Sequence, residues 1–571
     1  MTLKCGITII CLVTGLTTFA QHNYFVSQEA GSNSNNGQSP STPFKTVEKA
    51  VEFLSPGDTL LIMGIYVNAS YDTNYSYAGN TNDPHIWSQE NTLKINNLHG
   101  TSSNYITIKS YDSNTVLKGD GANIFRMINC SYIRIEGLEI YGEVEQIPLS
   151  TAQALQFLYR ENGSTNTLYR VPPGTSDAAI ANLTLPVLNN ISRPSYTDTR
   201  GIYLSTVHHI DLIGNYIHHT PGNGFRVADC DYINIINNEV DNTSRKSYSG
   251  THAMVVASAH SFDTFNGYKI NILQNKVHHN YNEIYSWSPN KTFINPYIDE
   301  GKGISLQTND LSTGWTHGRF LVANNLTYWN GYSGIHSNTG IRMDFINNTV
   351  FMNSYTKSVT YNMATSNGGN IGISTQSGED IRIINNISVI DSRLSKSAIS
   401  SANTNNLVVK DNLIYGSTGP VQEDSDVAAV QINTIIADPK FVDSGNLNFS
   451  LQASSPAIGI ADTGFAPADD FFGYTRDINP DLGAIEYNNT LSVISEQLRD
   501  YYVYPNPASD RIYVHNKVSG SISLYTLSGQ KIPLNDKFQK TDNDNLLLIS
   551  ALPNGIYLLK INDEVVKIIK R

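Results

Sequence analysis

The sequence predicts an all-β chain, a parallel β-helix solenoid followed by a small C-terminal β-sandwich, and three observations predict it. An apolar-x-apolar-x-Asn motif recurs, with one asparagine in register at Asn215, Asn238, Asn275, Asn325, Asn348, Asn386 and Asn412. The stretches "GNGFRVADCDYINIINNEVDN" from Gly222 and "SGIHSNTGIRMDFINNTVFMN" from Ser333 are two such units. A period-two strand, a turn and a return after about 20–25 residues mark one set of short strands per coil, and a parallel β-helix builds coils of that length from strands alone. The composition agrees: 41 glycines, 33 tyrosines and 15% charged residues in 571 suit stacked strands and turns. Helical periodicity is confined to "FKTVEKAVEFL" (Phe44–Leu54), which is expected to cap one end of the coil and cover its core and strand edges.

The elements follow in chain order. Residues 1–20 read as a cleavable secretory signal, because Lys4 precedes an apolar run from Ile7 to Leu16 and small residues lead to a cut after Ala20. That run is too short to span a membrane, and no later stretch is long enough, so the mature chain is expected to be exported and without a transmembrane segment. The coil is expected over residues 23–487. Of the four cysteines, Cys5 and Cys11 leave with the signal. Cys130 and Cys230 remain, but Val207 takes the same slot on the coil between them, which separates them by two spacings of roughly 4.8 Å. Two free buried thiols are therefore expected rather than a disulfide. A linker is expected over residues 488–500. Beyond it "YYVYPNPASDRIYVHN", "GSISLYTLSGQKI" and "LPNGIYLLKINDEVVKIIKR" alternate apolar and polar residues between turns, the pattern of an antiparallel sandwich over 501–571.

Those last segments resemble the C-terminal sorting domain of the type IX secretion system of Bacteroidota, through Tyr504-Pro505-Asn506-Pro507, Leu552-Pro553-Asn554-Gly555-Ile556-Tyr557 and a lysine-tipped final strand. The resemblance implies passage across the outer membrane by the type IX machinery, removal of the domain, and surface anchoring or release. "YFVSQEAGSNSNNGQSPSTPFKTVEKAVEFLSPGDTLLIMGIYV" is similar to the opening of right-handed β-helix proteins of the pectate-lyase-like superfamily, and "ADPKFVDSGNLNFSLQASSPAIGIADTG" with "DINPDLGAIEY" to their closing segment. "DEGKGISLQ" and "SGIHSNTG" look like coils of an exported β-helix group, with Lys302 standing where Asn is expected. The resemblance makes the coil right-handed. The superfamily holds lyases, hydrolases, epimerases and adhesins, so function must come from the site.

Alternation in "GNGFRVAD" turns Phe225 and Val227 inward and Arg226 outward. Stacking the coils places Tyr203, Arg226, Met254, Ser305, His336 and Ser374 in one outward column. The column beside it reads Gly201, Gly224, His252, Gly303, Gly334 and Gly372, the expected floor of a shallow groove. Insertions at 243–250, 280–300 and 354–369 precede this strand and are expected to raise a wall, as binding loops do on repeat scaffolds. The wall is rich in flat aromatic rings suited to sugars: Tyr248, Tyr281, Tyr285, Trp287, Tyr297 and Trp315.

The leading expectation is a polysaccharide lyase cleaving an acidic, uronate-containing glycan by β-elimination, which needs a base, a cation to neutralise the carboxylate and an acid for the leaving oxygen. Arg226 is the expected carboxylate clamp. His252 or Lys302 is the expected base, and Tyr203 or His336 the proton donor, with Glu300 at the groove edge and Ser305, Tyr285, Trp287 and Trp315 contacting sugar. The runner-up is a glycoside hydrolase pairing Glu300 with a loop carboxylate among Asp299, Asp263, Glu283 and Asp310. The third reading is a non-catalytic glycan-binding protein or adhesin, and an epimerase would share the proton abstraction.

The pairs His208-His209, His218-His219 and His278-His279 follow successive strands, as coil residues would, and no metal site is assigned to them. Calcium stays open through Asp229 and Asp231. The net charge of −12 speaks against nucleic acid as a partner. No phosphate-cradling loop or dinucleotide fingerprint occurs. A monomer acting on a polysaccharide is expected.

Overall fold

The computed structural model describes residues 21–68, 91–149, 196–247, 249–284, 300–354, 372–394, 396–417 and 430–488, several short strands between these, and most strands of 502–570. The signal segment and residues 489–500 of the expected linker lie outside the described residues.

Two parallel sheets of 18 and 11 strands wind along the chain, so that each coil pairs in register with the coils before and after it. In the larger sheet, long strands such as Asn123–Glu136, Arg200–Ile213, Phe225–Ile236 and Ile335–Ile346 bend midway. The bends sit at paired left-handed residues, Asn129 and Tyr132, Thr206 and His209, Asp229 and Tyr232, Thr339 and Arg342. Each coil therefore has two strand segments in this sheet and a third, three-residue segment such as Glu239–Asp241 in the other. This is the predicted parallel β-helix. Inward positions fill the core: Phe225 pairs with Met254, Met254 with Ile304, Ile304 with Ile335 and Ile335 with Ile373, all buried. Val207 pairs with both Cys130 and Cys230, which are free and buried as expected.

The asparagine register is a hydrogen-bonded ladder. Asn275 Nδ2 donates to Asn325 Oδ1 at 2.9 Å, and Asn325 Nδ2 to Asn348 Oδ1 at 2.9 Å. The contact repeats from Asn215 through Asn412, with each Oδ1 also taking the backbone N–H of the preceding asparagine. The residue before each is left-handed, Gly214, Asn237, Gln274, Asn324, Asn347, Asn385 and Asp411, so the turn exposes backbone groups inside the coil that a stacked amide can satisfy. A second, shorter ladder runs Thr243, Asn280, Asn330 and Asn353 at the next corner.

The cap is smaller than its pattern suggested. The helix spans Val47–Val51, with the Thr46 side chain accepting from the Lys49 N–H, while Phe44, Val47 and Ala50 pack on the core. At the other end Phe441, Phe449 and Leu482 pack outside the smaller sheet against Leu326, Phe351, Ile387 and Leu413. The closing segment is latched by Asn324, Asn347 and Asn385, whose side-chain amides donate to the carbonyls of Asp469, Asp481 and Asp462. Among residues 502–570, two four-stranded antiparallel sheets face each other across Ile512, Val514, Leu547, Leu524, Leu559 and Ile568. That is the expected sandwich.

Candidate active site

The strand register fixes the outward column. Arg226 pairs with Val255, Val255 with Ser305, Ser305 with His336 and His336 with Ser374. The expected Met254 in this column is corrected to Val255: the insertion before the strand shifts the coil by one residue, and Met254 turns into the core. The same shift moves His252 out of the glycine column, where Ala253 takes its place; the His252 carbonyl accepts from Asn223 Nδ2 at 2.8 Å. The glycines are not a groove floor. A Cβ on Gly224 would lie 2.5 Å from Val240 Cγ1, and one on Gly334 2.5 Å from Thr327 Oγ1, so they are required by close packing inside the turn.

The shift brings ionisable groups together. Glu300 Oε2 accepts from Lys302 Nζ at 3.0 Å and lies 3.3 Å from His252 Nε2, while the Lys302 backbone N–H points at His252 Nδ1 at 3.3 Å. Lys302 also lies over the Tyr332 ring, 5.2 Å from its centroid. His336 Nδ1 is 2.8 Å from Ser374 Oγ, which donates onward to Ser333 Oγ at 3.5 Å. A Ser374 hydroxyl that donates to Ser333 leaves Nδ1 protonated and the lone pair on Nε2, and one that donates to Nδ1 exchanges the two. Burial, then the charges of Lys302 and His252, hold the His336 imidazole well below its usual pKa. The buried Ser305 Oγ, next to His336 in the column, has no hydrogen-bond partner among the described residues. His252, Glu300, Lys302, Ser305 and His336 thus form one cluster, and Tyr332, Ser333 and Ser374 join it. Ser374 stands in the outward column where alternation put it, whereas Tyr332 and Ser333 were missed because they precede the alternating part of their strand.

Arg226 and Tyr203 stand apart from it. Three strand spacings, about 14 Å, separate the rows of Arg226 and His336. Arg226 belongs instead with Arg200, Tyr203 and Asp198; burial and then the Arg200 charge pull its pKa down, and Tyr203 and Asp198 oppose this. One clamp and one base so far apart cannot hold the same sugar ring. The outward column also continues to residues that the sequence reading passed over, since Tyr203 pairs with Arg126 and Arg126 with Lys94.

The wall residues divide. Trp315 is corrected: it is fully buried, packs on Phe320 and lies over Lys269, so it is core and not a sugar platform. Tyr281 is buried under Arg245. Tyr248, Tyr285, Trp287, Tyr297 and Asp299 lie outside the described residues. The other loop carboxylates are committed elsewhere. Asp263 pairs with Lys269 and accepts from Tyr232, Glu283 pairs with Lys246 and Arg245, and Asp310 caps the turn at Leu311–Thr313. Asp231, one of the two residues considered for calcium, is buried against Lys269 at 2.8 Å, so its charge is neutralised by an ammonium. Among the described residues no three His, Cys, Asp or Glu side chains are grouped as metal ligands. In the three histidine pairs the two Nδ1 atoms face each other at 2.8–2.9 Å, and His218 and His278 turn Nε2 to Glu139 and Glu239.

A solenoid with an outward-facing ionisable cluster and an appended sandwich is the class that fold and site define. Residues 502–571 match the secretion system C-terminal sorting domain, and the protein is accordingly secreted and attached at the cell surface. No helix among the described residues is long and apolar enough to cross a membrane. No curated protein matches the chain by sequence. Solved structures that resemble it include pectate lyase Pel9A, at 12% identity and a TM-score of 0.40 over 82% of this chain and 97% of that one. A GH136 lacto-N-biosidase from Eubacterium ramulus matches at 14% and 0.34, over 70% of this chain and 57% of that one. A mannuronan C-5 epimerase module from Azotobacter vinelandii matches at 12% and 0.35, over 67% and 91%. At these identities the likeness concerns the β-helix fold and not the chemistry.

Proposed function

We propose that the β-helix is an extracellular lyase that cleaves a uronate-containing glycan by β-elimination, and the observation that carries this reading is the His252–Glu300–Lys302–His336 cluster. Lys302 is the cation that meets the uronate carboxylate, held beside Glu300 and over the Tyr332 ring. His336 is the base, kept neutral by burial and by Lys302 and His252. In the step, His336 Nε2 takes the proton on the carbon beside the carboxylate and a carbon–carbon double bond forms. The bond to the leaving glycosidic oxygen breaks, and that oxygen takes a proton from Tyr332, beside Lys302. A carboxylate arriving at Lys302 cancels one of the charges that depress His336, so substrate binding strengthens the base that attacks it. Ser305 Oγ supplies a buried hydrogen-bonding group at the site.

The test incubates the purified protein, with and without calcium, with pectate, alginate, glycosaminoglycan and neutral glycans, and follows the ultraviolet absorbance of the unsaturated product. Absorbance that rises on one uronate polymer and vanishes in His336→Gln supports the reading. Reducing ends without absorbance would replace it with hydrolysis at Glu300, and binding without either signal would leave a glycan-binding protein.

A further inference from the structure

The outward column is cationic on its N-terminal side, and none of this charge is used by the cluster at Lys302. In register, Lys94 pairs with Arg126, Arg126 with Tyr203 and Tyr203 with Arg226. All four project outward, because their neighbours Leu93 and Ile95, Phe125 and Met127, Ile202 and Leu204, and Phe225 and Val227 fill the core. Arg200 adds a fifth group, with its guanidinium over the Tyr203 ring at 5.5 Å. The next outward positions along these strands are Asn96, Ile128, Ser205 and Ala228 in register, with no charge among them. On a chain of net charge −12, a line of cations beside an uncharged row is a local reversal of sign.

From this line we infer that Lys94, Arg126 and Arg226 form an extended polyanion track that holds a stretch of polyuronate parallel to the coil axis, leading into the site at His336. The inference rests on the lyase reading for its direction and on the column for its chemistry. Parallel strands repeat at about 4.8 Å, so from Lys94 to Arg226 the track covers about 14 Å, and about 29 Å separates Lys94 from the row of His336. A linear polymer with one carboxylate per sugar presents negative charge at regular intervals along such a line, whereas a short oligomer at His336 does not reach it. The consequence is a long-chain, internally cleaving enzyme whose affinity grows with chain length on one side of the cut.

The experiment uses the full chain carrying His336→Gln, which binds without turnover, and measures calorimetric binding of long polygalacturonate, of a trimer and of a neutral glucan at low and high salt. Lys94→Gln and Arg126→Gln are each expected to weaken the long polymer about two- to fivefold, as for exposed charge pairs, and the double variant further; the trimer is unaffected, and high salt removes the difference. Lys94 is exposed on the strand Asn91–Asn96, so its substitution leaves the fold intact. Unchanged polymer affinity in the double variant, equal loss for the trimer, or equal affinity for neutral glucan overturns the track. If wild-type protein eliminates uronate but the variants bind normally, the track alone fails. If the variants lose binding while no glycan is cleaved, the track stands and the chemistry fails.

Discussion

Two columns of side chains run along the same coils and are built on opposite terms. At one corner every coil from Asn215 to Asn412 places the same residue, buried and bonded to its copies above and below. On the outer face the column reads Lys94, Arg126, Tyr203, Arg226, Val255, Ser305, His336 and Ser374, with a different residue at almost every step. Backbone geometry repeats with the coil, so whatever satisfies the backbone repeats with it. A substrate does not repeat in this sense, since it has one reacting bond, and the residues that meet it change along the axis. The asparagine corner is therefore expected to govern stability and the outer column activity, and substitutions can test that division.

The largest effect is expected at His336. His336→Gln keeps a polar group of similar reach to Ser374 but removes the base, and kcat is expected to fall on the order of 10²–10⁴-fold with little change in polymer affinity. Steady-state kinetics beside calorimetric binding checks this; a variant that loses affinity but keeps kcat would make His336 a binding residue and blur the two columns' roles.

Next comes the ladder. Asn325→Ala removes the acceptor of the Asn275 N–H and side-chain amide and the donor to Ile272 and Ala323, all buried. At about 1–3 kcal/mol for each buried polar group left unmade, a loss of roughly 3 kcal/mol or more is expected in denaturant unfolding. Below the unfolding transition, kcat is expected to stay near the wild-type value. A large fall in kcat without loss of stability would show that the corner also positions the site.

A smaller, signed effect is expected from Lys302→Met. Removing the ammonium takes away one charge that depresses His336, so its pKa rises toward the usual value and the acidic limb of kcat/KM moves to higher pH. The variant also binds uronate less well, so KM rises. A limb that stays in place would mean that Lys302 does not act on His336.

These contrasts also explain what the sequence could disclose. The asparagine register, the inward column with its separated cysteines, and the terminal sandwich were legible because each follows from a period, and periods survive insertions that fall between strands. The site depended on phase. A single-residue slip at the 243–250 insertion put Met254 on the wrong face and His252 among the glycines, a displacement that alternation cannot detect across a loop. Glu300 and Lys302 escape the slip because they stand just ahead of the strand Ile304–Asn309, and His336 because it is the second residue of Ile335–Ile346. Trp315 failed for another reason: aromatic residues suit sugar faces and cores equally, and only its packing against Phe320 distinguishes the two. The Thr243–Asn280–Asn330–Asn353 ladder escaped notice because two of its steps cross long insertions.

The smallest effect concerns the closing segment that latches onto the asparagine corner. Asp481 accepts the Gly459 N–H at 2.7 Å, and its carbonyl takes the Asn347 side chain; burial pushes its carboxyl pKa up to about 6. A carboxyl whose folded pKa exceeds its unfolded value binds protons more tightly when folded. Its contribution to stability is therefore full below about pH 4 and is lost as the pH rises to about 6, amounting to at most about 2–3 kcal/mol on the linkage relation, and less with solvent screening. Histidines buried neutral act in the opposite direction, so total stability mixes the two. Asp481→Asn isolates the term, because asparagine does not titrate. Relative to wild type, the variant is expected to gain stability between pH 4 and pH 7 in paired denaturation curves, whatever its offset at pH 4. A difference independent of pH would mean that Asp481 stays ionised in the fold, and the latch would then rest on hydrogen bonds alone. Activity in the variant should follow the wild-type pH profile throughout, since the closing segment touches the corner and not the outer column.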